Sequence, residues 1–367
     1  MRGYGLAAGL LATAVAGLHG ASWAGAAPAG AAPAGAAVTW HIVAPPPPAG
    51  ALWTAVSART DSDAWAVAQG GASRPLVARW NGTAWSDVTG PTVPGATSTV
   101  PEAAGASSAS DAWLVGRATV SRVTSTLAAH WDGTSWSVVA TPHVAGSVLT
   151  SVADIAPGVA YAVGRSEALQ WNGSTWSAFS VPAPGGAQPA ILDAVAGDSP
   201  SDVWITGQYF DPATSADEPF TAHWNGTAWA SVPVPVNKAE LFGLTVVSPS
   251  DAWAAGNTFS GSAVTEHWTG KTWHVVPNPA KGLLVRVTAT GPRNVTAVGY
   301  KSSPNGPVAG IILTWNGSSW VNDTVPVAGA TRELFATSAA PGGHIIWAFG
   351  SSTSSSGIIS SLTLRHG

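Results

Sequence analysis

The chain lacks cysteine altogether and carries few charges, since charged residues make up 9% of its 367 positions. The absence of cysteine excludes disulfides and a cysteine-linked lipid anchor, so stability has to come from packing. Lys and Arg form no cluster and the net charge is −4, which argues against a nucleic-acid partner and an electrostatic membrane anchor. Outside residues 1–26 we find no apolar period of about 3.6 residues and expect essentially no helix.

Glycine, proline and tryptophan are abundant instead, at 42, 28 and 20 residues. High glycine and proline with little charge is typical of many short strands joined by turns. The chain is long enough for two or three average domains, but closed rings of repeated strands also reach this length as single domains.

The tryptophans belong to a motif, Trp-x-Gly-x-x-Trp, that occurs six times. Its copies run from Trp80 to Trp85, Trp131 to Trp136, Trp171 to Trp176, Trp224 to Trp229, Trp268 to Trp273 and Trp315 to Trp320. Successive copies begin 51, 40, 53, 44 and 47 residues apart. This is the period of a propeller blade of four strands.

A second motif, an apolar run that usually contains tryptophan and ends in a small residue, occurs seven times. The runs are residues 62–67, 110–116, 159–164, 201–207, 250–256, 294–299 and 345–350. Seven copies of one motif against six of the other predict seven blades, with one hairpin divided between the chain ends.

The two ends of the chain supply the missing hairpin. Residues 362–367 resemble the strand that elsewhere leads into the first tryptophan, and residues 38–45 resemble the strand that follows the second. Pairing them would close the ring without an open sheet edge at the seam. We therefore predict an all-β fold, a seven-bladed β-propeller of four-stranded antiparallel blades whose composite last blade is closed by the N-terminal strand.

The Asn-Gly and Asp-Gly pairs predict two-residue hairpin turns with positive φ at both positions. In the first copy this register places Trp80 opposite Thr83 and Ala78 opposite Trp85, so that both indoles share one face of the sheet. We expect the tryptophans to pack in the core. We expect a set of aspartates at the turn into the second strand to cap backbone donors: Asp63, Asp111, Asp202 and Asp251.

The first 26 residues have the pattern of a secretory signal peptide. A short positive region precedes an apolar stretch, residues 6–18, that is too short to span a bilayer, and residues 24–26 form a small-residue cleavage site. Residues 27–37 are interpreted as an Ala/Pro/Gly-rich linker and residues 38–367 as one propeller domain. We expect a secreted, extracellular monomer with no transmembrane anchor in its mature form; the alternative is an uncleaved anchor.

The repeated Ser-x-Ser-Asp-Ala-Trp-Ala-Val-Gly and His-Trp-Asn-Gly-Thr-x-Trp boxes resemble those of secreted bacterial seven-bladed propellers, grouped loosely with kelch and galactose-oxidase-like propellers. The resemblance covers residues 38–367. The double-Gly signature of kelch repeats is absent, and so is the copper-binding Tyr, Cys and His set of galactose oxidase, since there is no cysteine. The Trp-and-Gly rhythm also resembles tectonin-type propeller lectins, which bind sugars. Such a resemblance implies the fold and leaves the ligand open.

Catalytic and metal sites find little support in the sequence. His130, His223 and His267 occupy equivalent positions of different blades, away from the axis, so they cannot converge on one metal ion, and we expect no metal and no cofactor. Paired carboxylates near the axis are not evident, because Glu102 and Asp193 fall in equivalent first-strand positions of different blades. We assign no catalytic residue and favour a protein that is not an enzyme.

A four-strand meander gives the ring two unlike faces. The turn face carries the first-to-second and third-to-fourth connections, which are short and stereotyped here. The connection face carries the second-to-third and blade-to-blade connections, which are long and varied, as in residues 117–125, 208–220 and 300–306. Variable connections on a rigid scaffold usually carry recognition; the alternative is that they are tolerated insertions.

We predict that a partner binds the connection face, centred on blade four. Tyr209 and Phe210 would supply apolar contact area, and Asp211, Asp217 and Glu218 form the local acidic cluster. Further residues directly follow the second strand of their blades and should form a polar arc on the same face: Arg117, Arg165, Gln208, Asn257 and Tyr300.

These observations predict a recognition or scaffolding module for a glycan or a cell-surface protein. The alternatives are a glycan-active hydrolase or lyase with its site on the same face, and a structural envelope protein. An axial cluster of acid, base and arginine would favour the enzyme, solvent-open aromatic pockets between blades would favour a lectin, and the lack of both would favour protein binding.

Overall fold

The computed structural model describes residues 15–16, 39–142, 146–165, 167–186, 189–303, 306–326 and 331–367. Seven antiparallel sheets of four strands are arranged around an axis as a β-propeller, which confirms the predicted fold class. The described part of the chain contains only a single 3₁₀ turn, Pro184–Gly186, besides strands and loops, and no helix in it is long and apolar enough to cross a membrane.

The strands of each blade follow one another from the axis outward. Blade one contains β3 (Trp53–Thr60), β4 (Asp63–Gly71), β5 (Arg74–Trp80) and β6 (Trp85–Val88). Blade two contains β7 (Ala96–Ser108), β8 (Asp111–Val120), β9 (Val123–Trp131) and β10 (Trp136–Val138). Blade three contains β11 (Leu149–Ala156), β12 (Val159–Gly164), β13 (Glu167–Trp171) and β14 (Trp176–Ala178). Blade four contains β15 (Pro189–Ser199), β16 (Asp202–Asp211), β17 (Ala216–Trp224) and β18 (Trp229–Val232).

The remaining blades complete the ring. Blade five contains β19 (Ala239–Ser248), β20 (Asp251–Thr258), β21 (Ala263–Trp268) and β22 (Trp273–Val275). Blade six contains β23 (Leu283–Gly291), β24 (Asn294–Ser303), β25 (Gly306–Trp315) and β26 (Trp320–Asp323). Blade seven contains β27 (Thr331–Ala339), β28 (Ile346–Thr353), β29 (Ile359–His366) and the N-terminal β2 (His41–Ile42).

The composite seventh blade is confirmed. His41 pairs with Arg365 and Ile42 with Leu364, so an N-terminal strand forms the outer edge of the C-terminal blade. A further two-residue strand, β1 (Val15–Ala16), pairs in parallel with the free inner edge of β7. It belongs to the predicted signal peptide, and the rest of that segment and of the linker, up to residue 38, lies outside the described residues.

The tryptophans interlock neighbouring blades. The second-strand Trp65 of blade one packs edge-on against both Trp131 and Trp136 of the next blade, at centroid distances of 5.1 and 5.2 Å. The same trio recurs at Trp113 with Trp171 and Trp176, Trp204 with Trp268 and Trp273, Trp253 with Trp315 and Trp320, and Trp347 with Trp80 and Trp85. Blades one, two, four, five and seven thus each insert one indole between two of the next blade, and this explains why both motifs recur together; Tyr161 and Thr296 take the place of the indole in blades three and six.

The predicted register of the Trp-x-Gly-x-x-Trp hairpins is wrong by two residues. Trp80 lies directly opposite Trp85, and the turn contains four residues instead of two. Asn81 accepts hydrogen bonds at Oδ1 from the backbone N–H of Thr83 and Ala84, at 2.9 and 3.0 Å, and positive φ is confined to Gly82. Such side-chain capping of an Asx turn stabilises the longer loop.

The predicted role of the second-strand aspartates is also corrected, since they bind side chains. Asp111 pairs with Nε2 of His130 at 2.6 Å, and the imidazole lies over Trp113 with 4.7 Å between ring centroids. Blades four and five repeat this arrangement with Asp202, His223 and Trp204 and with Asp251, His267 and Trp253, and blade one uses Asp63, Arg79 and Trp65. These triads account for the histidines by packing within single blades.

Every innermost strand carries a β-bulge at the same place. The extra residues are Thr54, Glu102, Thr150, Asp193, Phe242, Val285 and Phe335. A bulge bends its strand and re-aims the side chains around it. The seven bulges therefore lie as a ring around the axis, near the connection face where each innermost strand begins.

Candidate functional site

The connection face differs from its sequence-based description. In place of irregular loops, the second and third strands of blades two, four, five and six extend into hairpins, here called arms; β8, β16 and β24 each reach 10 residues. In blade two the turn contains only Ser121 and Arg122, both with positive φ. These arms are paired strands, so their backbone hydrogen bonds fix the side chains that they present.

The large exposed apolar side chains of the described residues fall into two sets. One lies on the outermost strands: Ile42, Val138, Val275 and Val321. The other lies on the connection face: Leu52, Val123, Phe210, Phe259, Ile358 and Ile359. The turn face, within the described residues, contributes none. Exposed apolar area on one face is a feature of interaction surfaces.

The blade-four arm places the predicted binding residues in unlike environments. Phe210 is 52% exposed at the tip, opposite the exposed Asp217, whereas Tyr209 packs its ring edge-on against Phe220 at 6.2 Å. Asp211 holds the turn through the backbone N–H of Ala213 at 2.9 Å. Phe210 and Asp217 are thus free to contact a partner.

Glu218, predicted as part of an exposed acidic cluster, is buried. Its Oε2 accepts a hydrogen bond from the backbone N–H of Lys238 at 2.7 Å, and the carbonyl of Lys238 accepts one from Phe259 at 2.9 Å. The carboxylate therefore ties the blade-four arm to the connection to blade five and, through it, to the blade-five arm. It is a structural residue that fixes Phe210 and Phe259 on adjacent arms.

A cleft of about 410 Å³ opens beside this arm between blades three, four and five. Its wall includes Tyr209, Phe220, Pro184, Pro219 and Val236. An aromatic and proline-lined cleft beside an exposed phenylalanine has the usual composition of a small ligand site.

Each of the five residues of the predicted arc directly follows the glycine that ends the second motif of its blade. Arg117 forms an ion pair with the buried carboxylate of Glu102, and Asn257 lies opposite Glu240 in the sheet register. Gln208 is buried, while Arg165 is exposed. Burial, reinforced by the charge of Glu333, raises the pKa of Tyr300 to about 12.

The arc surrounds a charged cluster at the axis that joins three blades. Glu102 lies on β7, Asp193 on β15 and Arg286 on β23, and Arg286 interacts electrostatically with both carboxylates. Blades two, four and six are not neighbours in the ring, so Arg286 acts on the two carboxylates across the channel, and no ion pair within 4 Å joins it to either among the described residues. Glu102 and Asp193 thus each interact with Arg286, and no interaction between the two carboxyl groups is found among the described residues.

The sequence did not show that both carboxylates interact with Arg286, and the reason is geometric. Equivalent positions on the third strand, such as those of the histidines, are separated by whole blades. Equivalent positions on the innermost strand instead surround the axis and converge there. Glu102 and Asp193 are bulge residues and Arg286 directly follows the bulge residue Val285. A charged residue at or beside a bulge of the innermost strand marks a side chain near the axis. Arg286 could not be recognised from the sequence, because the positions of the bulges were not known.

Burial governs the charge of this cluster. It raises the pKa of Glu102 to about 7, against the opposing effect of Arg117 and Arg286. Burial and the nearby Glu240 raise the pKa of Asp193 to about 7, against Arg286 and Arg165. Burial lowers the pKa of Arg286 to about 10 although both acids oppose this. Both carboxyl groups thus titrate near neutral pH while the guanidinium remains charged.

Four polar side-chain atoms of this cluster have no hydrogen-bond partner among the described residues. Arg286 is 3% exposed, and its Nη1 donates to the carbonyl oxygens of Phe242 and Val285 at 2.8 and 2.7 Å. Within the described part of the chain, no partner is found for Nε and Nη2 of Arg286, Oε2 of Glu102 or Oδ2 of Asp193. Buried polar atoms normally have partners, so this set is suited to a ligand or ordered water.

The cluster's donor set does not resemble a metal centre. Among the described residues, no group of three or more His, Asp or Glu side chains is placed to hold a metal ion. The positive charge of Arg286 instead offsets part of the negative charge of Glu102 and Asp193.

No protein-family profile and no curated protein matches the chain. Solved structures do share its fold. The structure of YCF48 bound to D1 peptide is 13% identical over 92% of this chain and 96% of that one, with a TM-score of 0.56. The GH74 xyloglucanase from Xanthomonas campestris is 14% identical over 88% of this chain and 55% of that one, with a TM-score of 0.57.

A third similar structure is the β-propeller domain of the trilobed protease from Pyrococcus furiosus, described as having an open velcro topology. It is 9% identical over 86% of this chain and 95% of that one, with a TM-score of 0.54. At such identities the similarity shows the fold, a seven-bladed β-propeller, and leaves the ligand undecided.

Proposed function

We propose that this protein is a recognition module that binds a glycan or a cell-surface protein on its connection face. One observation carries the proposal: the exposed side chains of Phe210 and Phe259 lie on the same face of the ring as the bulges that carry Glu102 and Asp193. A ligand there would contact Phe210 and Phe259 on the arms and reach the polar cluster at the axis. Apolar contact beside a few fixed polar groups is the composition of most ligand sites.

The structural comparisons are compatible with either kind of ligand. YCF48 is seen with a peptide and the GH74 protein is a xyloglucanase, so propellers of this shape serve both protein and glycan recognition. Sugar binding between blades, as in the tectonin-type resemblance, has less support, because the indoles of Trp131, Trp136 and Trp273 are buried in the interlocking trios. The axis and the arms are the better site.

The predicted signal peptide adds a location to the proposal. We infer export to the cell exterior, where the absence of cysteine leaves ring closure and packing to maintain the fold. N-terminal sequencing of the exported chain checks cleavage after residue 26, and a chain that retains its first residues in the culture medium would contradict it. Light scattering of the purified protein would check that it is a monomer.

A screen on glycan arrays and displayed peptide libraries tests the binding proposal. The double variant Tyr209→Ser/Phe210→Ser should lose the ligand that the unmodified protein selects. Thr83→Ala/Thr227→Ala, on the turn face, is the matched control and should retain it. Loss of binding in the control alone would show that the ligand occupies the opposite face.

A glycan-active hydrolase is the second candidate, and the two carboxyl groups that interact with Arg286 favour it. Glu102 and Asp193 each have a pKa near 7, so one can carry a proton while the other is ionised, as acid-and-base catalysis requires. A panel of polysaccharides assayed for released reducing ends tests this candidate, with Glu102→Gln and Asp193→Asn as variants. Activity that survives both substitutions would exclude the axial carboxyls from catalysis.

A further inference from the structure

Three lysines collect around the tip of the blade-five arm on the connection face. Lys238 directly precedes β19, and its carbonyl oxygen accepts a hydrogen bond at 2.9 Å from the backbone N–H of Phe259. Lys281 precedes β23 and forms an antiparallel bridge with Ser262. Both lysines therefore flank the short turn that ends this arm, residues 259–262.

The third lysine, Lys301, belongs to the adjacent arm of blade six. A Cβ atom on Gly282 would lie 3.0 Å from the Cα atom of Lys301, so the segment that carries Lys281 runs directly beside this arm. In the chain, 43 and 20 positions separate Lys238, Lys281 and Lys301, which is why the sequence shows no basic run. The fold brings these residues, here called the lysine cluster, together.

The side chains of the lysine cluster are exposed and unpaired. No ion pair joins any of the three to a carboxylate within the described ranges. Glu218 is buried, and its carboxylate binds the backbone N–H of Lys238 and not the ammonium group. Phe259, whose backbone contacts Lys238, is 51% exposed. The cluster thus presents free positive charge beside an accessible aromatic ring.

The rest of the connection face has the same sign of charge. Eight Lys and Arg side chains are exposed in the described part of the chain, and six of them lie on this face: Arg74, Arg122, Arg165, Lys238, Lys281 and Lys301. Of the three acids exposed in the same residues, Asp217 alone lies there, since Asp87 is on an outermost strand and Asp132 on the turn face. A chain with a net charge of −4 therefore concentrates its exposed positive charge on one face, and this favours anionic ligands there.

We propose that the lysine cluster binds a polyuronate, a polysaccharide whose sugar rings carry carboxylates; the inference deepens the proposed function and rests on it. The carboxyl carbon of a uronic acid is bonded directly to the sugar ring, so its charge lies beside the apolar C–H face of that ring. Phe259 contacts the ring face while the ammonium groups contact carboxylates of successive sugar residues. The exposed Arg165 and Arg122 continue the same positive surface toward blades three and two.

Other polyanions fit the lysine cluster less well. A sulfate ester places its charge one oxygen atom further from the sugar ring. An acidic peptide holds its carboxylates on flexible side chains, whose ordering costs affinity, and offers Phe259 no sugar ring. A single-stranded nucleic acid gains much of its affinity from bases that stack on successive aromatic side chains, and Phe259 is one ring.

Fluorescence anisotropy with the full chain tests the proposal, with labelled oligosaccharides of galacturonate, mannuronate and hyaluronan beside a neutral maltooligosaccharide. At least one uronate should bind, and the triple variant Lys238→Gln/Lys281→Gln/Lys301→Gln should weaken it about thirtyfold, or about threefold for each exposed ion pair lost. Phe259→Ser should weaken it about tenfold, as for an aromatic contact in an interface. Lys271→Gln, an exposed lysine of the turn face, is the matched control and should leave binding unchanged.

Melting curves check that each variant folds, and the affinity of the unmodified chain should fall as salt rises from about 0.05 to about 0.3 M. Uronate binding that survives the triple variant, or no binding of any uronate, would overturn the proposal. Tighter binding of dextran sulfate, oligoglutamate or single-stranded DNA than of every uronate would overturn it as well. Selection of neutral glycans or of uncharged peptides by the unmodified chain would then leave the proposed function standing, whereas a chain that selects neither glycan nor peptide would overturn both.

Discussion

A Cβ atom on Gly256 would overlap the backbone carbonyl oxygen of Glu240 on the neighbouring strand. The overlap arises at the bulge of β19, where the extra residue Phe242 tilts the preceding carbonyl toward β20. The glycines that end the second motif in blades two to seven share this environment: Gly116, Gly164, Gly207, Gly256, Gly299 and Gly350. The motif therefore ends in glycine because the bulged innermost strand leaves no space for a side chain.

Replacing Gly256 with alanine should destabilise the protein by about 1–3 kcal/mol, because the new methyl group meets rigid backbone. Gly291→Ala is the matched control, since beyond its chain neighbours no atom lies within 4 Å of the place that the methyl group would take, and its φ is ordinary. Urea unfolding followed by tryptophan fluorescence measures both. Equal free energies of unfolding for the two variants would show that the bulged strand can move to accept the methyl group without a loss of stability.

Trp40→Ala should cost about 3–5 kcal/mol, as expected for a large aromatic side chain removed from a core. Trp40 is 3% exposed, and its Nε1 donates to Asp323 of blade six at 3.2 Å, so it joins the closing strand to both blades at the seam. Ile42→Ala on the same strand is the control, since that side chain is 56% exposed. Calorimetry should show a melting temperature lowered by several degrees for Trp40→Ala alone; deletion of residues 38–44 should act in the same direction.

Trp131→Ala should destabilise the protein more than Trp224→Ala. Trp131 is 8% exposed and packs against Trp65 of the preceding blade, whereas Trp224 is only half-buried, beside a blade that carries Tyr161 at the corresponding place. We expect about 3–5 kcal/mol for Trp131→Ala and a smaller loss for Trp224→Ala. Chemical unfolding of both variants gives the order, and a larger loss at Trp224 would contradict the interlocking account.

Stability should fall as the pH rises from about 4.5 to about 7, in part because of Glu266. Its carboxyl is buried on β21 with one hydrogen bond, from the backbone N–H of Val236 at 3.2 Å, and burial raises its pKa from 4.5 to about 7. The folded chain therefore binds a proton more tightly than the unfolded chain, and this stabilisation is complete below the unfolded pKa. It is lost as the pH rises through the folded pKa.

Glu266→Gln removes this titration and should reduce the loss of stability between pH 4.5 and pH 8 by about 3 kcal/mol. The amide keeps an oxygen that can accept the bond from Val236. Asp217→Asn, an exposed carboxylate, is the control and should keep the pH dependence of the unmodified protein. Urea unfolding at several pH values measures the effect, and parallel curves for Glu266→Gln and the unmodified chain would contradict it.

The sequence by itself determined the architecture, because each repeat is recognised from residues that lie close together in the chain. Paired tryptophans at blade spacing and one more copy of the second motif than of the first predicted seven blades, and the match of residues 38–45 to an outer strand located the seam. The face that carries the arms also follows from strand order alone. Each inference needed only periodicity and turn residues, which act over a few positions.

The tertiary structure alone decided what lies at the axis. Bulges arise from contacts between strands of the ring, so the sequence did not show that Glu102, Asp193 and Arg286 share one cluster although 91 and 93 positions separate successive members. It likewise did not show that Glu218 is buried under the connection to blade five. Convergence around a closed ring depends on curvature and register, and these are fixed only when all seven blades pack together.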